Sequence, residues 1–312
     1  MDEGRRLVTA GGRTIRAGGR TVEIHRPSKV LFPGDGFTKG DLADYYRGVA
    51  RRMVPQVRGR PLMLERHPGG IDDHGFIQKD VPRYFPRWVH RVELPKQEGG
   101  TVTYAVCDDK ATLVYLADQA CITPHRFLST AGHPDRPDRL IVDLDPAGHD
   151  FGPVRTAALL LRDLLDDLGL PSTVMTTGSR GLHVVVPLDA RAGFDETRAF
   201  ARDLATLLAA RHPDTLTTET RKQARRGRLY LDVQRNAYAQ TAVAPYAVRA
   251  LPGAPVAAPL TWEDVEDPDL TPRRWTIDSV DELLKGNPWR HAPRGRSLAP
   301  AREHLDAMLR EE

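Results

Sequence analysis

The 312 residues are enough for one large domain or two closely packed ones. With 40% hydrophobic, 6% aromatic and 28% charged residues, the chain has a globular composition, which excludes collagen-like sequence and disorder as the main state. The formal net charge of +3, from 45 Lys and Arg against 42 Asp and Glu, is mildly basic, so any polyanion must be held by local patches. Cys107 and Cys121 form no C-x-x-C pair and no Cys/His cluster, which argues against a disulfide framework and a structural zinc site. No apolar run approaches the roughly 18 residues of a membrane span, and the Gly/Arg-rich start lacks the apolar core of a signal peptide. A cytoplasmic protein with no membrane partner is expected.

In chain order, residues 1–21 carry little apolar side chain and predict a flexible arm or weak hairpin. Thr38 is placed to cap a helix that carries Leu42, Tyr45, Tyr46, Val49 and Met53 on one face. Pro and Gly break 61–103 into short strands and loops, and a helix is predicted over 111–120. Next come a strand over 140–144, a turn at Asp145-Pro146 and a helix starting after Gly152-Pro153 and stopping at Gly169. Strands over 173–176 and 182–186 flank the turn Gly178-Ser179-Arg180-Gly181 and predict a hairpin. A helix over 195–210 and a strand over 228–233 follow, then a Pro-rich, weakly helical segment with Trp262, Trp275 and Trp289 as packing anchors. The expected division is one domain over 22–300, made of an N-terminal part (22–135), a catalytic core (136–260) and a packing segment (261–300), with 301–312 as a tail.

Side chains alternate across a strand, so Ile141, Asp143 and Asp145 share a face opposite Leu140, Val142 and Leu144. Two carboxylates at one strand end are hard oxygen donors suited to Mg2+ or Mn2+; the pair alone is only suggestive and more simply reads as a solvated Asp-Pro turn. Asp232 stands opposite Leu229, Leu231 and Val233 on another apolar strand. By itself it is an exposed acid, but three strand-borne acids suit two cations and nucleotidyl transfer. The turn from Thr176 to His183 offers hydroxyls, glycines, Arg180 and His183 to a phosphate, and reads otherwise as an ordinary turn with a core histidine. Five cations lie between Arg221 and Arg228, just before the Asp232 strand, where they can offset a triphosphate's charge. Lys29 and Lys39 flank the loop Pro33-Gly34-Asp35-Gly36 and read as phosphate-holding point charges or surface lysines.

Together, the run His25-Arg26-Pro27-Ser28-Lys29-Val30-Leu31-Phe32-Pro33, the Thr38-Lys39 helix start, the run from Arg136 to Pro146, Gly181-Leu182-His183 and Val243-Ala244-Pro245-Tyr246 resemble the polymerase domain of bacterial end-joining ligase D, in the archaeo-eukaryotic primase superfamily. The resemblance spans about 25–260. It implies an α/β (α+β) primase-polymerase fold, with a central mixed or antiparallel sheet flanked by helices and an N-terminal subdomain. It makes Asp143, Asp145 and Asp232 the catalytic metal ligands for two Mn2+ or Mg2+ ions, with Asp232 also activating the primer 3′-hydroxyl. Nucleoside triphosphate contacts carry over to His125, Thr177, Arg180, His183, Arg235 and Arg249, with Arg225 or Lys222 assisting. Lys29 and Lys39 match a pair that captures a 5′-phosphate on DNA, and Arg66, Phe76 and Lys79 fall in the stretch that handles template and primer bases.

The sequence departs from the family at a few positions: Thr177 stands for Ser, Arg180 for Lys, and Ile77 for the second residue of a Phe-Phe pair. Ile lacks a π-face, so stacking there is expected to be weaker or to rest on Phe76. The segment 126–132 also lacks the usual Pro-Trp continuation after His125. The remaining length holds no ligase lysine motif and no nuclease domain, so a stand-alone polymerase domain is expected. The implied function is a nucleoid-associated repair polymerase that prefers ribonucleotides, extends primers at gaps and 3′-overhang break ends, and works with Ku and a separate ligase. The alternatives are a gap-filling polymerase or primase in excision repair, and a non-catalytic DNA-end binding module using Lys29, Lys39 and the 221–228 cations.

Overall fold

The structure is a computed structural model describing residues 12–96 and 99–312. Alternating apolar residues build two six-stranded sheets, packed through one continuous core. The first, here the acidic sheet, runs in the order Leu216–Thr217, Leu229–Asp232, Arg139–Asp145, Leu182–Pro187, Thr173–Thr176, Pro259–Leu260. All its pairings are antiparallel except that between Leu216–Thr217 and Leu229–Asp232. Central strand Leu182–Pro187 is buried along its whole length, its one polar side chain, His183, included.

Helix Gly152–Asp167 packs on this sheet, with Val154, Ala157, Ala158, Leu161, Leu164 and Leu165 buried. Pro153 suits its first turn, and the left-handed Gly169 (φ 71°) ends it. Helix Phe194–Arg211 also contacts Arg139–Asp145 and Leu216–Thr217.

The second sheet orders Thr241–Val243, Cys121–Phe127, Pro61–Arg66, Thr101–Val106 and His90–Pro95, with Phe76–Gln78 paired to Pro61–Arg66. Helix Lys39–Val57 starts at Thr38, whose hydroxyl accepts from the Asp41 N–H while the Asp41 carboxylate accepts from the Thr38 N–H. Its expected stripe, Leu42, Tyr45, Tyr46, Val49 and Met53, is buried. Because Thr241–Val243 joins this sheet, the chain returns to it after building most of the acidic sheet. The two sheets therefore do not coincide with the expected 22–135 and 136–260 parts.

Of the flexible arm or weak hairpin expected over 1–21, the structure has, from residue 12 on, the hairpin, formed by Gly12–Ala17 and Arg20–His25, and it is packed rather than weak. Ile15, Ala17, Val22 and Ile24 are buried, and Arg13 donates to both Asp44 oxygens at 2.7 and 2.8 Å. Period-2 placement puts all four apolar side chains on one face, which a count of apolar residues conceals. Residues 1–11 lie outside the described residues. The expected 301–312 tail belongs to helix Leu298–Glu311, which buries Leu298, Ala301 and Leu305 and ties Arg302 to Asp203 at 2.7 Å. Trp289 and Trp262 act as the expected anchors, donating to the carbonyls of Val174 and Ser172, each at 3.2 Å.

Candidate active site

Strand register decides where the acids meet. Asp143 is directly opposite His183 on one neighbouring strand and Asp232 on the other, and residues directly opposite in an antiparallel pair project from the same face. His183, Asp143 and Asp232 thus form a row across three strands. Asp145, two residues further along, joins that face opposite Tyr230. A cleft in front of them is lined by Asp143, Asp145, Thr177, Arg180, His183, Arg235 and Arg249, together with His125 and Val243 of the second sheet. The sequence separates these residues by more than a hundred positions; the fold brings them to the junction of the two sheets.

Guanidinium and imidazole groups hold the carboxylates. His183 Nε2 lies 3.4 Å from Asp143 Oδ2. Burial pushes the Asp143 carboxyl up, but His183, Arg235 and Arg249 outweigh it and hold the group below the usual carboxylate range. Asp145 accepts from Arg180 at 2.9 Å and Arg225 at 2.8 Å, and the Arg225 guanidinium also stacks 4.1 Å from the Tyr230 ring. Asp232 is pushed up by burial and by the charges of Asp143 and Asp145, against the opposing pull of the Gln234 N–H, which donates to it at 2.8 Å, and of Arg235. Burial is the larger cause of the net rise, and the like charges sharing the face add to it.

The turn after Thr173–Thr176 is built from within. Gly178 has φ 64°, and a Cβ on Gly181 would stand 2.1 Å from the Leu144 carbonyl oxygen. Thr177 Oγ1 accepts from the N–H groups of Ser179 and Gly181, and the Thr177 carbonyl accepts from Arg249 at 2.7 Å. The Thr177 hydroxyl therefore first shapes the turn. His183 Nδ1 and Arg249 Nε are buried with no hydrogen-bond partner among the described residues. Orphaned donors and acceptors at a cleft wall are what a polar ligand satisfies.

Two residues that the sequence reading left out organise the rest of the site. Glu65 accepts from His125 Nε2 at 3.3 Å and lies 3.4 Å from His67. Burial opposes its ionisation, but hydrogen bonds from His125, Thr123 and His67 hold its carboxyl down at about 2. Burial, with Arg249 and Arg235 nearby, holds the His125 imidazole below its ordinary value. Glu65 interrupts an otherwise apolar strand just as Asp143 does, so the same alternation argument reaches it. Asp118 accepts from Lys39 Nζ through its carbonyl at 2.7 Å and from the His25 N–H through its carboxylate, also at 2.7 Å.

The remaining predicted residues form two groups away from the cleft. Lys39 is buried against Asp118 at the start of its helix, and its N–H donates to the Lys29 carbonyl at 2.8 Å. Burial, then the nearby charges of Arg26 and Lys29, lowers its ammonium despite Asp118. Arg66 donates to Gln119 O, Gln78 Oε1 and the Tyr84 hydroxyl, and its guanidinium lies 5.4 Å from the Phe76 ring centroid. Phe76, Ile77 and Tyr84 are 43%, 49% and 61% exposed, and they are three of the four exposed large hydrophobics among the described residues. Lys79 is exposed next to them. Lys222 shares a smaller pocket with Asp145, Arg180 and Arg225. Among the described residues no group of three or more His, Cys, Asp or Glu side chains is arranged to hold a metal ion as it stands. Asp143, Asp145 and Asp232 share a face, but arginines occupy Asp145.

A mostly antiparallel acidic sheet fronted by a guanidinium-lined cleft and backed by helices defines an α/β protein of the primase-polymerase class. Within that class the chain belongs to the family described as LigD, primase-polymerase domain, whose model matches residues 38–289. It is 35% identical over 268 residues to the multifunctional non-homologous end joining DNA repair protein LigD of Mycobacterium tuberculosis, covering 83% of this chain and 35% of that protein. The bifunctional non-homologous end joining protein LigD of Bacillus subtilis is 32% identical over 259 residues, covering 82% of this chain and 41% of that protein. The chain thus spans between about a third and two fifths of these relatives' length. A solved structure, the polymerase domain from Mycobacterium tuberculosis ligase D in complex with DNA, superposes with a TM-score of 0.79 at 32% identity, covering 92% of this chain and 98% of that one. No described helix is long and apolar enough to cross a membrane.

Proposed function

We propose that the chain is a DNA-dependent DNA-repair polymerase that adds nucleotides, ribonucleotides by preference, to primer 3′-hydroxyls at gaps and double-strand break ends. The observation that carries this reading is the register that sets Asp143 directly between His183 and Asp232, facing a cleft lined by Arg180, Arg235 and Arg249. In this reading those guanidiniums bind the triphosphate of the incoming nucleotide, and the unpartnered His183 Nδ1 and Arg249 Nε find acceptors there. His125, its ring fixed by Glu65, contacts the nucleotide from the second sheet.

The donor set fits divalent cations: carboxylate oxygens crowded on one face, where burial and then the charges of Asp143 and Asp145 raise Asp232. Asp143 and Asp232 would hold the ions, Mn2+ or Mg2+, with Asp145 joining once Arg180 and Arg225 turn to the triphosphate. When bound, such ions activate the 3′-hydroxyl and stabilise the leaving pyrophosphate. Until then Arg180 and Arg225 neutralise Asp145, and His183 keeps Asp143 ionised and oriented.

Around the cleft, Phe76 with Arg66 and Lys79 handles template and primer bases, and the Tyr84 ring beside them offers an aromatic face where Ile77 has none. Lys29, Lys39 and Arg26 cluster at the N-terminus of helix Lys39–Val57, where their charges and the helix dipole favour an anion; we assign it to a DNA 5′-phosphate. The names of the longer relatives support work in non-homologous end joining; in this reading the chain works there with Ku and a separate ligase. Incorporation of labelled ribonucleotide and deoxynucleotide on a gapped, 5′-phosphorylated duplex tests the reading. Preferred ribonucleotide addition supports it, whereas tight gap binding with no incorporation under Mn2+ or Mg2+ would make the chain a DNA-end binding module.

A further inference from the structure

A second pocket opens on the far side of Asp232 from the triphosphate cleft. Arg198 and Arg202 of helix Phe194–Arg211 form one wall, Thr218 and Thr220 beyond the short strand Leu216–Thr217 form another, and Tyr230 and Gln234 meet it from either side of Asp232. Its volume is about 230 Å³, room for a phosphate with its attached sugar. Among the described residues no Asp or Glu lines it.

The arginines are what need explaining. They stand four residues apart on one helix face, where like charges repel. Neither has an ion-pair or hydrogen-bond partner among the described residues, although most arginines lining the triphosphate cleft and its surroundings do. The hydroxyls of Thr218 and Thr220 are likewise without a protein partner among the described residues. Two free guanidiniums and two free hydroxyls converging on one concavity make a site for a tetrahedral oxyanion. The pocket also reaches the catalytic row directly: the Tyr230 hydroxyl lies 3.5 Å from Asp232 Oδ1, and the Gln234 N–H donates to that same oxygen.

We propose that this pocket binds a backbone phosphate of the primer strand next to its 3′-terminal nucleotide, with Arg198 and Arg202 as the phosphate ligands, and so presents the 3′-hydroxyl to Asp232. The inference rests on the polymerase reading and adds the primer's own site to it. The triphosphate enters from the Arg180 and Arg249 side, the primer from the Arg198 and Arg202 side, and the Asp143/Asp232 pair stands between them.

The test uses the full chain and the double variant Arg198→Gln, Arg202→Gln, with Arg191→Gln as an exposed charge-loss control outside both pockets. Binding of a primed duplex is followed by anisotropy over a salt series, and extension kinetics are measured separately against primer and against nucleotide. The expected result is a primed-duplex affinity about tenfold weaker, a salt slope shallower by between one and two, and an unchanged KM for nucleotide. Thermal unfolding of the double variant is expected to match wild type, because neither side chain is fully buried and neither has a protein partner among the described residues. Unchanged duplex affinity and slope would overturn the proposal, as would a raised KM for nucleotide with primer affinity intact, which would put a free nucleotide's phosphate in the pocket. A loss equal to that of Arg191→Gln would reduce it to net charge and also overturn it. Duplex binding that depends on Arg198 and Arg202 in a chain that extends no primer would uphold this site and sink the polymerase reading instead.

Discussion

Asp143 is the residue on which the site turns, because its two cross-strand partners are an imidazole that keeps it ionised and a carboxylate that repels it. Asp145 is held differently, by two guanidiniums that a triphosphate can attract away. Asp145→Ala is expected to lower incorporation at least about a hundredfold, the scale on which removal of one preorganised charge acts; single-turnover incorporation measures it, and retained activity would remove Asp145 from the machinery. Glu65 gives a prediction in stability. Its carboxyl lies at about 2 in the fold against 4.5 ordinarily, so the stabilisation it contributes is complete above about pH 4.5 and is lost as the pH falls to about 2. Glu65→Gln should therefore destabilise the chain at neutral pH by roughly 1–3 kcal/mol and flatten the fall in stability over that window. Denaturant titrations at several pH values check this; an unchanged acid limb would contradict it.

Among the elements, the acidic strand is completed by a side chain. Strand Leu229–Asp232 pairs with it only from Asp143 to Asp145, and further back Asn236 takes over, accepting from the Ile141 N–H at 2.9 Å and donating to the Ile141 carbonyl at 2.7 Å. Asn236→Ala would leave both backbone groups buried and unpaired and should cost roughly 2 kcal/mol or more, read as a lower denaturation midpoint with an unchanged m-value. A loss under about half that would show that the strand edge closes by other means. Elements of this kind mark the limit of what the sequence shows. Helix Gly152–Asp167 and strands Arg139–Asp145, Thr173–Thr176 and Leu182–Pro187 were legible because apolar periodicity and Gly/Pro punctuation are local signals. Asp143 and Asp145 were legible as a pair for the same reason. That Asp232 stands opposite Asp143 is a matter of register between strands nearly ninety residues apart, and no local pattern carries it. Glu65 pairing with His125, Asn236 with Ile141 and Thr241–Val243 with Cys121–Phe127 are likewise long-range. The hairpin at Gly12–His25 was legible only as a weak one for another reason: its few apolar residues all point one way, so their number understates their packing.

For the whole molecule, two sheets from interleaved stretches of chain meet at one cleft, and cationic or aromatic patches surround it. A nucleic acid spanning them would touch Lys29 at the helix N-terminus, the Phe76 and Tyr84 face, and the acidic row. Lys29→Ala is the cleaner probe of the first patch, because Lys39 also holds Asp118. It should weaken binding of 5′-phosphorylated gapped duplex several-fold and reduce the salt slope by about one, with little effect on the unphosphorylated duplex. Equal wild-type affinity for the two duplexes would remove the assignment. The central claim, that Asp143 and Asp232 act as one catalytic pair, is tested most directly by nucleotide incorporation on a gapped duplex with Mn2+, comparing wild type with Asp143→Ala and Asp232→Ala. Extension by wild type, with none by either variant while both still bind the duplex, is the predicted result; extension that survives in either variant would contradict it.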